Sequence, residues 1–238
     1  EHPDYAIENV YNNLKVIVLQ NNHWSNAKSG LKPLYVKDQQ IVYNNDQENV
    51  FAGLNEFRNM NIKSIRYHSE RVATIKQDSF GNHVILLPDE KRSFKQYATD
   101  ADINGNFVIK AEDAVSKNSD TEADYCMVSF FLPCNEVFTD GKLYIFGAFN
   151  GWKCISENQL DYDVKRMGYF GNIYLKQGYY NYEYAFLKDD SKEIDETLIE
   201  GSHSQTENEY AVLIYYRYPG TFYDQLINVK RLNSLKDR

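Results

Sequence analysis

The stretch Leu143-Tyr144-Ile145-Phe146-Gly147-Ala148-Phe149-Asn150-Gly151-Trp152 decides the fold. Leu143, Ile145 and Phe146 have the branched and aromatic character that strands favour. Asn150-Gly151 is a turn dipeptide, because both residues tolerate φ > 0 at little steric cost. A strand therefore ends in a turn, and Trp152 follows with more apolar area than a turn normally exposes. That ring needs a cover: the protein's own core, a sugar or another protein.

The same grammar extends outward in both directions. Residues 124–132 read as a long strand ended by Pro133, residues 141–147 as the next, and 160–164 as pairing with 168–175. Residues 179–187 place Tyr180, Tyr182, Tyr184 and Phe186 on one face, the period of two that marks a strand. Residues 209–218 form the last long strand, and 230–238 read as one helical turn or frayed coil. Toward the N-terminus, 14–20 read as a buried strand, with shorter strands at 34–37, 40–43, 56–60, 62–67, 71–76, 83–87, 94–97 and 107–110. Short strands separated by Gly, Asn and Asp turns indicate β-sandwiches. The polar stretch 111–123 reads as a boundary, so the expectation is an all-β chain of two tandem β-sandwich domains, 1–118 and 119–238.

Composition narrows the function classes. The chain is 42% hydrophobic, enough for a core, and 20 Tyr and 13 Phe suit rings packed across a pleated face. Against 34 acidic residues stand 26 basic ones, a net charge of −8 with no basic block, which disfavours nucleic-acid binding. No run approaches the ~20 apolar residues of a membrane helix, so no membrane-spanning segment is expected. Cys126, Cys134 and Cys154 form no C-x-x-C, and a Cys126–Cys134 bridge is conceivable only across adjacent strands.

No catalytic constellation is present: neither G-x-S-x-G nor H-E-x-x-H occurs, and the His residues are scattered. No catalytic residue, cofactor or metal ligand is therefore assigned, and the chain reads as a non-enzyme. The cluster Asp189, Asp190, Glu193, Asp195 and Glu196 reads as a solvated acidic hairpin rather than a glycosidase carboxylate pair. Two long loops, 44–58 and 200–209, are where binding residues would sit. The candidate partner contacts are Trp24, Glu48, Asn49, Phe51, Asn55, Arg58, His203, Glu207 and Asn208. Trp24 is either an aromatic anchor for a partner or a ring capping the core.

Two resemblances add to this. Residues 144–152, 168–175 and 178–187 resemble the early-set immunoglobulin-like fold of glycogen-binding modules. In that fold a G-x-F-N-x-W turn precedes a hairpin and an aromatic strand. The resemblance implies an α-glucan site centred on Trp152 with Asn150. Glu183 stands where the sugar-binding members have Lys, however, and no second Trp follows Leu187. Trp152 is therefore expected to be covered by its own domain, with Tyr182, Tyr184 or the 154–155 segment as neighbours.

The second resemblance spans nearly the whole chain. It is carried by 15–21 with Trp24-Ser25-Asn26-Ala27, by Leu31-Lys32-Pro33, by 48–53 with Asn55-Glu56-Phe57-Arg58, and by 62–67. It continues through 86–90 with Arg92-Ser93-Phe94, Asp102-Ile103-Asn104-Gly105, 120–125 and 175–182. It ends at Glu200-Gly201-Ser202-His203 with Thr206-Glu207-Asn208. In that order the chain resembles the plug protein family of the Bacteroidota type IX secretion system. The resemblance implies a non-catalytic periplasmic protein, associated with the outer membrane, that closes the periplasmic side of a large β-barrel translocon. It also implies a further N-terminal domain ahead of the first sandwich.

Overall fold

A computed structural model describes residues 7–37, 40–44, 49–113 and 118–237. In chain order the strands are β1 (Leu14–Gln20), β2 (Tyr35–Lys37), β3 (Gln40–Val42), β4 (Arg58–Asn61), β5 (Val72–Asp78), β6 (Gly81–Leu86), β7 (Phe107–Ile109) and β8 (Tyr125–Pro133). There follow β9 (Gly141–Phe146), β10 (Gln159–Asp163), β11 (Gly168–Lys176), β12 (Gly178–Lys188), β13 (Ile194–Asp195), β14 (Glu209–Tyr216) and β15 (Gln225–Asn233). The described residues are all-β apart from one helical turn, Val10–Asn13, and short 3-10 turns. None of their helices is long and apolar enough to cross a membrane, which says nothing of crossing by strands.

The chain divides into two units, 53–206 and 1–52 with 207–238. This corrects the expected division at 118/119. Strands from both sides of that point share ladders: β6 runs parallel to β8, and β4 and β7 pair with β12. The described residues of that polar stretch, 111–113 and 118–123, belong to the larger unit. Its Asp113 carboxylate accepts hydrogen bonds from the Ser64 hydroxyl at 2.9 Å and the Ile65 amide at 2.8 Å, and Ala111 and Ala123 are buried. A segment can be polar in composition and still integral when its own backbone and carboxylates are satisfied internally.

In the 53–206 unit the sheet order is β13-β12-β9-β10-β11-β8-β6-β5. β10 connects the two halves of this sheet. Gln159 and Leu160 pair with β9, whereas Asp161 to Asp163 pair with β11. The sheet thereby curls most of the way to a barrel around one core. Phe130 on β8 meets Tyr182 on β12 across that core, ring centroids 5.3 Å apart, although the two strands share no ladder. Tyr180, Tyr182, Tyr184 and Phe186 all lie in it, as their alternation requires. Each fully buried ring contributes about 2–3 kcal/mol of apolar transfer.

The other unit joins both ends of the chain in an antiparallel sheet, β1-β14-β15, beside the β2–β3 hairpin. Neither its residues nor its sheet order match a sandwich spanning 1–118. β15 takes up 230–233 of the expected helical turn or coil, and 234–236 form a turn in which the Asp237 amide donates to the Asn233 carbonyl at 3.0 Å. β15 is an edge strand exposed at most positions, so no face imposes an apolar alternation on its sequence. Residues 62–67 and 94–97, expected as strands, form none; Ser64 instead closes a turn by accepting from the Arg66 and Tyr67 amides.

Cys126, Cys134 and Cys154 are free thiols. Cys126 lies near one end of β8 and Cys134 follows the other end, beyond disulfide reach. Burial pushes the Cys126 thiol up to about 12. Phe130→Ala should cost about 3–5 kcal/mol in urea unfolding, since it empties the contact between the two halves of the core. A cost below ~1 kcal/mol would contradict the packing described.

Candidate functional site

β12 carries the side chains around which the larger unit is built. Its Tyr face enters the core, and its opposite face is covered as well. Asn181 and Glu183 are fully shielded from solvent although neither is apolar. Asn181 accepts from the Ile103 amide at 2.6 Å. The Lys-to-Glu departure noted at position 183 therefore sits on a buried face where no sugar could reach it.

Arg58 on β4 is the centre of a buried ionic network. Its Nε donates to Glu200 Oε1 at 2.9 Å, Nη1 to Asp89 Oδ1 at 3.0 Å and Nη2 to the Glu90 carbonyl at 2.6 Å. Its guanidinium stacks 5.1 Å over the Tyr184 ring. Asp89 Oδ2 accepts from the Tyr182 and Tyr184 hydroxyls at 2.8 and 2.7 Å, and Arg71 also pairs with Asp89. Arg92 Nε donates to Glu200 Oε2 at 2.7 Å, and its Nη2 donates to the Glu56 carbonyl at 2.8 Å. Burial alone would raise the Glu200 carboxyl, but Arg58 and Arg92 hold it below its ordinary value. For Arg58, burial opposes the charge, and Glu200 and Asp89 more than restore it. The two β12 tyrosine hydroxyls are pushed up, first by burial and then by Asp89, so they stay neutral donors.

Beside this network, Glu183 and Glu196 share a hydrogen bond in a site closed to solvent. Two carboxyl groups can bond to one another only through a proton. Burial, then the Glu196 and Glu200 charges, push Glu183 well up, and burial pushes Glu196 up to about 7. The acidic cluster is thus not uniformly solvated: Asp195 is exposed, but Glu196 turns inward.

The candidate partner residues separate by burial. Trp24 is 59% exposed, which removes the core-capping alternative. The turn before it runs through Asn21 and Asn22, both in left-handed conformation at φ 51° and 60°. Asn49 is exposed, and Phe51, His203 and Glu207 are half-buried. Phe51 packs edge-on against Tyr210 at 5.4 Å, and Glu207 accepts from the Asn233 side chain. Asn55, Arg58 and Asn208 are corrected: all three are buried and committed to internal bonds, so they cannot meet a partner. Asn55 donates to the Glu200 carbonyl at 2.8 Å. Asn208 Oδ1 accepts from Gln20 and Asn21 side chains at 3.1 and 2.9 Å. Glu48 lies outside the described residues.

Trp152 is half-buried at φ 58°, beyond the 3-10 turn Ala148–Asn150. Asn150 closes that turn by donating to the Ile145 carbonyl at 2.7 Å. The indole meets Phe57 and Phe146 edge-on at 5.8 and 5.3 Å. Its cover comes from its own fold, with Phe57, Phe146 and Gly105 against the ring. Gly105 lies flat against it: a Cβ there would fall 2.2 Å from the indole Cη2, at a backbone φ of +73°. Nothing in this arrangement offers an open aromatic platform for a glucan.

The chain is similar to a protein from Parabacteroides merdae ATCC 43184, described as hypothetical, whose crystal structure superposes with a TM-score of 0.91 at 33% sequence identity. The match covers 97% of this chain and 57% of that one. No family model matches the chain, and no curated protein matches it.

Two outcomes follow from this geometry. Arg58→Ala removes the buried cation that Asp89 and Glu200 share, leaving them Arg71 and Arg92, and should destabilise the fold by about 3 kcal/mol in chemical unfolding. The Glu183–Glu196 pair binds more protons folded than unfolded above the ordinary glutamate value of 4.5. Its stability contribution is complete below that value and is lost as pH rises through about 7 and beyond. Glu196→Gln should flatten this decline, read as the unfolding free energy from about pH 5 to pH 8. An unchanged slope in the variant would remove the shared proton from the account.

Proposed function

We propose that this chain is a non-catalytic component of the type IX protein secretion system that plugs the periplasmic side of its outer-membrane barrel translocon. The observation that carries the reading is where the resembling motifs fall. Asn55 to Arg58, Pro88 to Glu90, Arg92, Tyr182 and Glu200 come from four distant segments and join in the one network centred on Arg58. Residues that recur in a family for a structural reason would do so. The similar protein comes from Parabacteroides merdae, a member of the Bacteroidota in which that secretion system occurs, which supports the reading.

A plug needs a rigid frame presenting fixed loops, and a buried ionic network with two covered sheet faces supplies one. On this reading residues 144–152, 168–175 and 178–187 keep the motifs of an early-set immunoglobulin-like fold whose glucan function has lapsed. The protein lies in the periplasm at the outer membrane, and Trp24 and Asn49 are the contacts offered to the translocon.

Epitope-tagged chain expressed in a Bacteroidota host should recover the large barrel translocon from solubilised outer membranes. Trp24→Ala should reduce that recovery by about tenfold, the scale of an interface anchor, without lowering the melting temperature. Absence of the translocon from the wild-type eluate would contradict the proposal.

A further inference from the structure

The unit formed by 1–52 and 207–238 encloses a cavity of about 640 Å³. That lies within the range of small-molecule sites. Its floor is one face of the sheet: Leu14, Val16 and Val18 of β1 beside Val212 and Ile214 of β14. Alternate residues share a face, and Leu14 to Val18 spans ~13 Å along the strand. The floor is thus long, narrow and apolar.

The two ends of the cavity differ in chemistry. Leu14 pairs with Tyr216 at one end, where Ile7, Ile41 and Ile227 complete an apolar cluster. Val18 marks the other end, and Lys28 is fixed there by backbone bonds to Val18 in both directions, at 3.0 and 2.9 Å. The Lys28 ammonium lies 5.5 Å from the Phe51 ring and forms no ion pair among the described residues. Asn49 and Tyr43 also line the cavity, Asn49 donating to the Tyr43 carbonyl at 3.4 Å. The Tyr43 hydroxyl is closed off from solvent and has no hydrogen-bond partner among the described residues. Burial raises its pKa, so it is a neutral donor. A buried hydroxyl with no acceptor is destabilising, and an oxyanion brought to Lys28 would supply the acceptor.

The geometry points to a binding site for a single-chain amphiphile with an anionic head, a fatty acid or a lysophospholipid. The acyl chain lies along β1 toward Leu14, and the carboxylate or phosphate meets Lys28, with the Tyr43 hydroxyl donating to it. The site stands apart from channel plugging and does not depend on it.

Displacement of 11-(dansylamino)undecanoate from the full chain tests this, with palmitate, methyl palmitate and palmitoyl-lysophosphatidylglycerol as competitors. Palmitate or the lysophospholipid should displace the probe at one site per chain, and the tighter of the two identifies the head. Methyl palmitate, which lacks the charge, should bind at least about tenfold more weakly than palmitate. Lys28→Gln should lose a similar factor, and Tyr43→Phe a smaller one, with melting temperature held or raised. Val212→Trp, which fills the floor, should abolish displacement; if that variant does not fold, the Lys28 and Tyr43 variants decide. No saturable probe binding, or equal affinity for acid and ester in wild type and Lys28→Gln, would overturn the inference.

Discussion

The pairing of Arg58 with Asp89 and Glu200 is the constraint on which the larger unit depends. Three charges taken out of water are costly unless every donor and acceptor is answered, and here they are. The answering groups are spread along the chain: a loop carbonyl at Glu90, two hydroxyls and one amide from β12, and a second guanidinium from Arg92. Meeting all of them at once admits few arrangements of β4, β12 and the 88–92 and 195–200 loops. Apolar burial supplies the driving force for collapse, and the network selects one register from those that collapse alone would allow.

This constraint also accounts for β12. A strand with an aromatic face ordinarily turns its other face to water. Here the loops bearing Ile103 and Glu196 close over that face, so Asn181 and Glu183 become interior groups. Three guanidinium groups, Arg58, Arg71 and Arg92, stand against Asp89 and Glu200. The shared proton between Glu183 and Glu196 is first a consequence of burial, reinforced at Glu183 by the neighbouring Glu200 charge.

Much of the fold was legible in the chain itself. The period of two in Tyr180, Tyr182, Tyr184 and Phe186 identifies β12, and Asn150-Gly151 marks the turn before Trp152. Three features were not legible. β15 carries no alternation, because it is an edge strand exposed at most positions, with Ile227 and Leu232 only half-buried. The division of the chain was hidden because ladders between remote strands, β6 with β8 and β4 with β12, leave no local signature. The candidate site was partly misassigned for a related reason. Asn55, Arg58 and Asn208 look like loop polar residues in sequence, and only the position of their partners reveals that they are buried. A usable signal did exist: Glu183 stands within an otherwise aromatic strand, between Tyr182 and Tyr184, and Arg58 directly follows Phe57. Charge in such a setting must be paired.

An all-β fold held by an internal ionic network suits a protein whose proposed task is to occupy an opening rather than to transform a substrate. The reading stands or falls on whether this chain closes a channel. Single-channel conductance of the purified type IX translocon in a planar bilayer, with the chain added from the periplasmic side, measures this directly. The account predicts a saturable loss of open-channel current that Trp24→Ala weakens. Undiminished current at saturating chain, with the protein folded, would contradict it.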